Sequence, residues 1–205
     1  MRLFHVLMDK PWITAQGTVI DLHDRRAFAL PTVKLGLMVF LAVITVLFSL
    51  LVVAYAYRMA LADWRSLPEL WLLWLNTAIL ITSSVSLQSA RVSARRGRID
   101  GVRTGLLQAG LLTIAFLAGQ LVVWQQLAAM GYYSPQNPAL AFLYLLTGLH
   151  GVHLLGGLVA WGRTIAKVWR RPAIEHVRMS VELCAMYWHY LSLVWLVLFG
   201  LLVFT

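Results

Sequence analysis

The chain has 205 residues, of which 60% are hydrophobic and only 12% charged. A soluble domain carries about 25% charged residues, so this supply could not cover a water-facing surface; a soluble enzyme, a disordered chain and a fibrous repeat are excluded. The net charge is +9, from 17 Lys+Arg against 8 Asp+Glu. The basic residues fall between long apolar runs, where membrane topology explains them better than nucleic acid does. The single cysteine, Cys184, lies inside an apolar run and says nothing about compartment.

Residues 1–33 read as a cytoplasmic or interfacial segment. Asp9, Pro11, Asp21 and Asp24 interrupt it, and it lacks the long apolar stretch of a signal peptide; Phe4 and Trp12 are candidate surface anchors. A span of about 20 mostly apolar residues crosses a hydrocarbon core about 30 Å thick. Five segments qualify, with boundaries roughly at 34–57, 70–90, 104–127, 139–162 and 180–204. Nothing alternates with a period of two, so helices rather than a barrel satisfy the backbone. The second segment carries a polar stripe: Asn76, Thr77, Thr82, Ser83, Ser84, Ser86, Gln88 and Ser89. The third contains Gln108, Gln120, Gln125 and Gln126. Helix packing through small residues and hydroxyls accounts for both better than a conducting path. The expected fold is therefore an all-α polytopic membrane protein, a bundle of five transmembrane helices over residues 34–205.

The connections set its orientation. Five Lys/Arg lie in the N-terminal segment (Arg2, Lys10, Arg25, Arg26, Lys34), five in the second connection (Arg91, Arg95, Arg96, Arg98, Arg103) and five in the fourth (Arg163, Lys167, Arg170, Arg171, Arg178). Only Arg58 and Arg65 lie in the first connection, and the uncharged third, 128–138, reads as a turn through Gly131, Pro135 and Pro138. The positive-inside rule places the N-terminus in the cytoplasm and the C-terminus outside. An odd number of spans requires the same. Trp64, Trp71, Trp74, Tyr57, Tyr132 and Tyr133 then fall at the outer interface, and Trp161 and Trp169 at the inner one, as anchoring belts.

Ionisable groups at membrane depth are functional candidates by default. His150 and His153 lie in the fourth span and His189 in the fifth, with Glu182 near the fifth span's inner end. At ~1.5 Å per residue, His150 is about 16 Å from one face and His189 about 14 Å from the other. His150 and His153, three apart, share a broad helix face, and Glu182 and His189, seven apart, share a stripe. One reading is heme ligation by His189 with His150 or His153, given room by Gly148, Gly151, Gly156 and Gly157. The other is neutral imidazoles bonding across helices, with the glycines permitting close approach. The second needs fewer assumptions, since no carboxylate or cysteine completes a ligand set. Glu182 with Arg178, at i and i+4, reads as an interfacial ion pair, with a lipid headgroup as a further contact. A transporter-like bundle gains little support without internal repeats.

Longer motifs carry a resemblance. Thr147-Gly148-Leu149-His150-Gly151-Val152-His153, followed by Gly156 and Gly157, resembles the Thr-Gly-x-His-Gly-x-His signature of subunit III of heme–copper oxidases. Tyr187-Trp188-His189-Tyr190 with Val194-Trp195, and Glu182 upstream, is similar to that family's Trp-His-Phe segment in its last helix. Lys34-Leu35-Gly36 with Phe40-Leu41-Ala42 and Phe48, and Leu75-Asn76-Thr77-Ala78-Ile79-Leu80 with Ser83-Ser84, resemble two further family segments. The match runs over roughly residues 31–202 and fits the bacterial five-helix form. Three family carboxylates are replaced, at Ile44, Val123 and Ser192.

The resemblance implies an accessory subunit of a cytochrome c oxidase-like terminal oxidase in the bacterial plasma membrane. Such a subunit has no catalytic residue, heme, copper or other metal of its own, the heme and copper being expected in partner subunits. It packs against catalytic subunit I, binds phospholipid, and supports oxygen reduction coupled to proton translocation in aerobic respiration. Subunit or lipid contacts are then expected at Asn76, Thr147, His150, His153, Arg178, Glu182, Trp188 and His189. A quinol oxidase or a nitric-oxide-reductase-associated complex is the alternative host, and a small di-histidine membrane cytochrome is the alternative of another class.

Overall fold

The computed structural model describes residues 32–60, 71–130, 138–170 and 174–203, all of it helix and turn. The N-terminal segment, Phe4, Trp12, Trp64, Tyr132, Tyr133 and most of the connections at 58–69, 128–138 and 171–173 lie outside the described residues. The chain divides into two units, residues 1–36 and 37–205; the second holds the bundle. Five helices follow in order: α1 (Thr32–Met59), α2 (Trp71–Arg95), α3 (Ile99–Ala129), α4 (Pro138–Arg170) and α5 (Ile174–Val203). Each is at least 25 residues long. At ~1.5 Å per residue even the shortest exceeds the thickness of a bilayer core.

Helices α2 to α5 form a four-helix bundle with neighbours α2–α3, α3–α4, α4–α5 and α5–α2. Contacts fix an antiparallel register at every pair. Gly101 faces Ser93 and Gly119 faces Asn76 across α2–α3. Trp161 reaches Leu106 and Trp124 reaches Thr147 across α3–α4. Gly157 faces Trp188 and His150 faces Trp195 across α4–α5. His189 meets Ser84, and Trp195 meets Thr77, across α5–α2. Short connections between long helices favour this up-and-down arrangement.

Local chemistry explains the tightest joints. The α2–α3 turn is a Schellman cap: Gly97 takes φ +76°, Arg98 N–H donates to Ser93 O (3.0 Å) and Gly97 N–H to Ala94 O (3.4 Å). Only glycine enters that backbone region without strain. Further along, the missing side chain of Gly105 lets the helices touch, since a Cβ there would lie 2.8 Å from Ser86 O.

Helix α1 stands differently. Only Ile44, Phe48 and Tyr55 are buried along it, and aliphatic side chains such as Val43, Val46, Leu50 and Val53 face outward. It meets α4 and α5 through Phe48 on His153, Tyr55 on Phe142, Phe40 on Tyr187, and Thr45 Oγ1 at 2.7 Å from Tyr190 Oη.

Four helices, α1, α3, α4 and α5, are long and apolar enough to cross a membrane by length and composition. The expected second span does not reach that mark, although α2 is a helix of full length. Its polar residues face inward or serve their own backbone. Asn76, Thr77, Ser83 and Ser84 are buried against the bundle. Thr82, Ser86 and Ser89 donate to carbonyls three or four residues back, at 2.7–2.9 Å. A helix whose hydroxyls are sheltered or self-satisfied tolerates a lower apolar content than one facing lipid all round.

Candidate functional site

The polar side chains of the two histidine motifs gather at the bundle interfaces. At the α2–α5 interface, Ser84, Gln88, Arg91 and Arg95 follow at steps of four, three and four, which places them on one stripe of α2. Glu182 and His189, seven apart on α5, face that stripe. His189 Nδ1 lies 2.6 Å from Ser84 Oγ, and His189 Nε2 lies 3.0 Å from Gln88 Oε1. An amide oxygen only accepts, so Nε2–H is the donor to Gln88, and a neutral ring then receives the Ser84 hydroxyl proton at Nδ1. Both nitrogens of His189 are thus engaged by α2.

Two turns toward the basic end, Arg91 Nη2 and Arg95 Nη2 each lie 3.3 Å from Glu182 Oε1. The ion pairs at Glu182 therefore run across to α2 rather than along α5 to Arg178, which is exposed. Spacing along one helix suggested the Arg178 partner; the α2–α5 register decides for the arginines opposite. Arg91 and Arg95 are the site residues the sequence reading missed. Their signal was the shared stripe with Ser84 and Gln88, legible only once α2 is known to face α5.

His150 and His153 diverge. His150 is wholly buried, its ring edge-on to Phe116 at 6.2 Å and tilted against Trp195 at 5.2 Å. His153 Nδ1–H donates to Leu149 O on its own helix (2.8 Å), and its ring leans on Phe48 of α1 at 5.6 Å. Its carbonyl accepts the Tyr187 hydroxyl at 2.9 Å. The face the two histidines were expected to share is split between the bundle centre and α1. Among the described residues no three His, Cys, Asp or Glu side chains converge as a metal-holding group. Both ring nitrogens of His189 meet Ser84 and Gln88, while His150 faces aromatic rings.

Tryptophans tie the helices together. Trp188 Nε1 donates to Thr113 Oγ1 (3.1 Å), Trp195 to Thr77 Oγ1 (3.0 Å), Trp124 to Thr147 Oγ1 (3.1 Å) and Trp161 to Leu106 O (2.8 Å). Each threonine hydroxyl meanwhile donates to the carbonyl four residues back, on Ala109, Leu73 and Leu143. A hydroxyl that donates once still has lone pairs for an indole N–H. Trp161, expected at the inner interface, covers Gly110 with its indole and bridges α4 to α3. Trp71, Trp74, Tyr57 and Trp169 are exposed as a belt requires, with Arg103 5.9 Å from the Trp169 ring centroid. Of the remaining expected residues, Asn76 is buried against Gly119. Ile44, Val123 and Ser192, where the resemblance implied that carboxylates had been replaced, are all buried.

The profile of the cytochrome c oxidase subunit III family matches residues 5–205. The chain belongs to the cytochrome c oxidase subunit III family. Curated relatives agree with subunit III membership. A cytochrome c oxidase subunit 3 from Thermostichus vulcanus is 28% identical over 201 residues, covering 93% of this chain and 95% of that one. A probable cytochrome c oxidase subunit 3 from Mycobacterium tuberculosis is 30% identical over 128 residues, 62% of this chain and 63% of the relative's length. A cytochrome bo(3) ubiquinol oxidase subunit 3 from Pseudomonas aeruginosa is 27% identical over 135 residues, 66% of this chain and 65% of that one. With its long apolar helices, this member of the subunit III family is an integral membrane protein.

Proposed function

We propose that the chain is an accessory, non-redox subunit III of a respiratory heme–copper oxidase, packed against catalytic subunit I, whose oxygen reduction and proton translocation it sustains. The observation that carries this reading is the fate of four of the signature side chains. His189, Trp188, Glu182 and Thr147 are all committed to bonds between helices of this chain. A residue fixed at both ends of its ring is a strut, with no free atom for a metal or a substrate. Heme and copper belong to partner subunits in this reading.

All five helices, α2 included, span the plasma membrane. The register supports this, since α2 runs beside α3 from Gly119 back to Gly101. The antiparallel bundle gathers Arg91, Arg95, Arg96, Arg98, Arg103, Arg163, Lys167 and Arg170 at one end, which the positive-inside rule assigns to the cytoplasm. Phospholipid acyl chains line α1. An aliphatic groove of about 760 Å³ against α4 (Val39, Val43, Leu47, Leu145, Leu149) and a mostly apolar one of about 310 Å³ against α5 (Val52, Val53, Val197, Leu198, with Thr45 and Tyr190) flank that helix.

The test is purification of the complex through a tag on this chain, with subunit identification and optical spectra. Heme-bearing larger chains must co-purify, and the chain released from them must show no heme absorbance. A Soret band on the released chain, lost in His189→Ala, would overturn the reading. The Pseudomonas relative, by its name a ubiquinol oxidase subunit, favours a second host complex; oxidation of quinol rather than cytochrome c by the purified complex would select it.

A further inference from the structure

One level of the bundle is polar on all four helices. Asn76 of α2 lies against Gly119, one residue before Gln120 of α3. Trp124, a turn beyond Gln120, bonds Thr147, a turn before His150 of α4. His150 meets Trp195, one turn beyond Ser192 of α5, and Trp195 reaches back to Thr77 beside Asn76. These contacts close a ring that sets Asn76, Gln120 and His150 at one depth, with Ser192 about one turn away on α5. All four are buried. Asn76 Nδ2, both amide atoms of Gln120, both ring nitrogens of His150 and Ser192 Oγ have no hydrogen-bond partner among the described residues.

Six such atoms within about one turn along the bundle do not fit a core of hydrocarbon alone. Buried polar groups are bonded to protein or to ordered water. The group that satisfies these must be small and neutral, because the layer holds no charged side chain to balance an ion. It must also donate and accept together. A neutral imidazole brings one donor and one acceptor, the glutamine amide brings both, the asparagine nitrogen donates, and the serine hydroxyl does either. Water is the ligand with that chemistry, and a buried water makes about three hydrogen bonds. Room lies alongside. A groove of about 270 Å³ between α3 and α4 has Gln120 and Thr147 in its wall, where Gly148 and Gly151 present no side chain.

We propose that this layer is an internal water site, in which ordered water bridges His150, Gln120, Asn76 and Ser192 across all four helices at the bundle centre. The proposal stands on the bundle alone and does not depend on which oxidase the chain serves.

Magic-angle-spinning NMR tests it on the full chain, within its purified complex in lipid nanodiscs, labelled with ¹⁵N at histidine and glutamine side chains. Magnetisation is passed from water protons to the rings, and the build-up at His150 is compared with that of core methyls such as Leu80 and Leu154. Build-up at His150 and the Gln120 amide at least threefold faster than at the methyls supports the site. The His150 signal must also slow at least threefold in Gln120→Leu. Build-up as slow as that of the methyls overturns the proposal, as does a direct His150–Gln120 side-chain coupling without water transfer. The wild-type measurement decides even if Gln120→Leu does not assemble.

Discussion

Replacing His189 with phenylalanine keeps the ring's bulk and removes both bonds to α2, those to Ser84 Oγ (2.6 Å) and Gln88 Oε1 (3.0 Å). A hydrogen bond between membrane helices contributes about 0.6 kcal/mol on average and up to about 2 kcal/mol. Ser84 has a fallback, because a serine hydroxyl can bond its own helix as Thr82 and Ser86 do. Gln88 is exposed and loses its only bond to α5 described here. The expected cost is therefore about 1–3 kcal/mol, or about 5- to 150-fold in the equilibrium for separating α2 from α5. The assay is denaturant- or heat-driven loss of this chain from the purified complex, in His189→Phe, Ser84→Ala and the double variant. The two changes should be non-additive by at least about 0.5 kcal/mol, as contacting residues are. The heme spectrum of the intact complex should not move. Additive effects, an unchanged midpoint, or a lost heme band in His189→Phe would each refute the assignment of His189 as a strut.

Trp188→Ala empties a wholly buried site beside Gly157 and should cost about 3–5 kcal/mol, with Trp188→Phe between it and wild type, measured by the same dissociation midpoint. Gly97→Ala forces a side chain into φ +76° and should cost about 1–2 kcal/mol; Gly97→Asn should cost less, a ranking read by thermal melting. Glu182→Gln removes the carboxylate shared by Arg91 and Arg95. Since those arginine side chains are 25% and 51% exposed, the loss should be only about 1 kcal/mol and should shrink in high salt.

Hydrophobicity and charge order along the chain were enough to mark five helices, because a bilayer imposes a minimum apolar length on each span whatever its neighbours are. The helices observed coincide with the expected segments and extend past them at several ends, where charged residues continue a turn or more beyond the apolar core, as at Arg95 and Arg170. The motifs also marked His150, His153, His189 and Glu182 without any structure, since ionisable groups stand out in an apolar run. Their partners were beyond its reach. A side chain's partner depends on which helix lies opposite and in what register, and four antiparallel rods can be arranged around one another in more than one order. So Glu182 bonds Arg91 and Arg95 instead of Arg178, Trp161 ties α4 to α3, and the neighbouring pair His150 and His153 turn to different surroundings. Spacing in a sequence reports faces of one helix; only packing decides what each face meets.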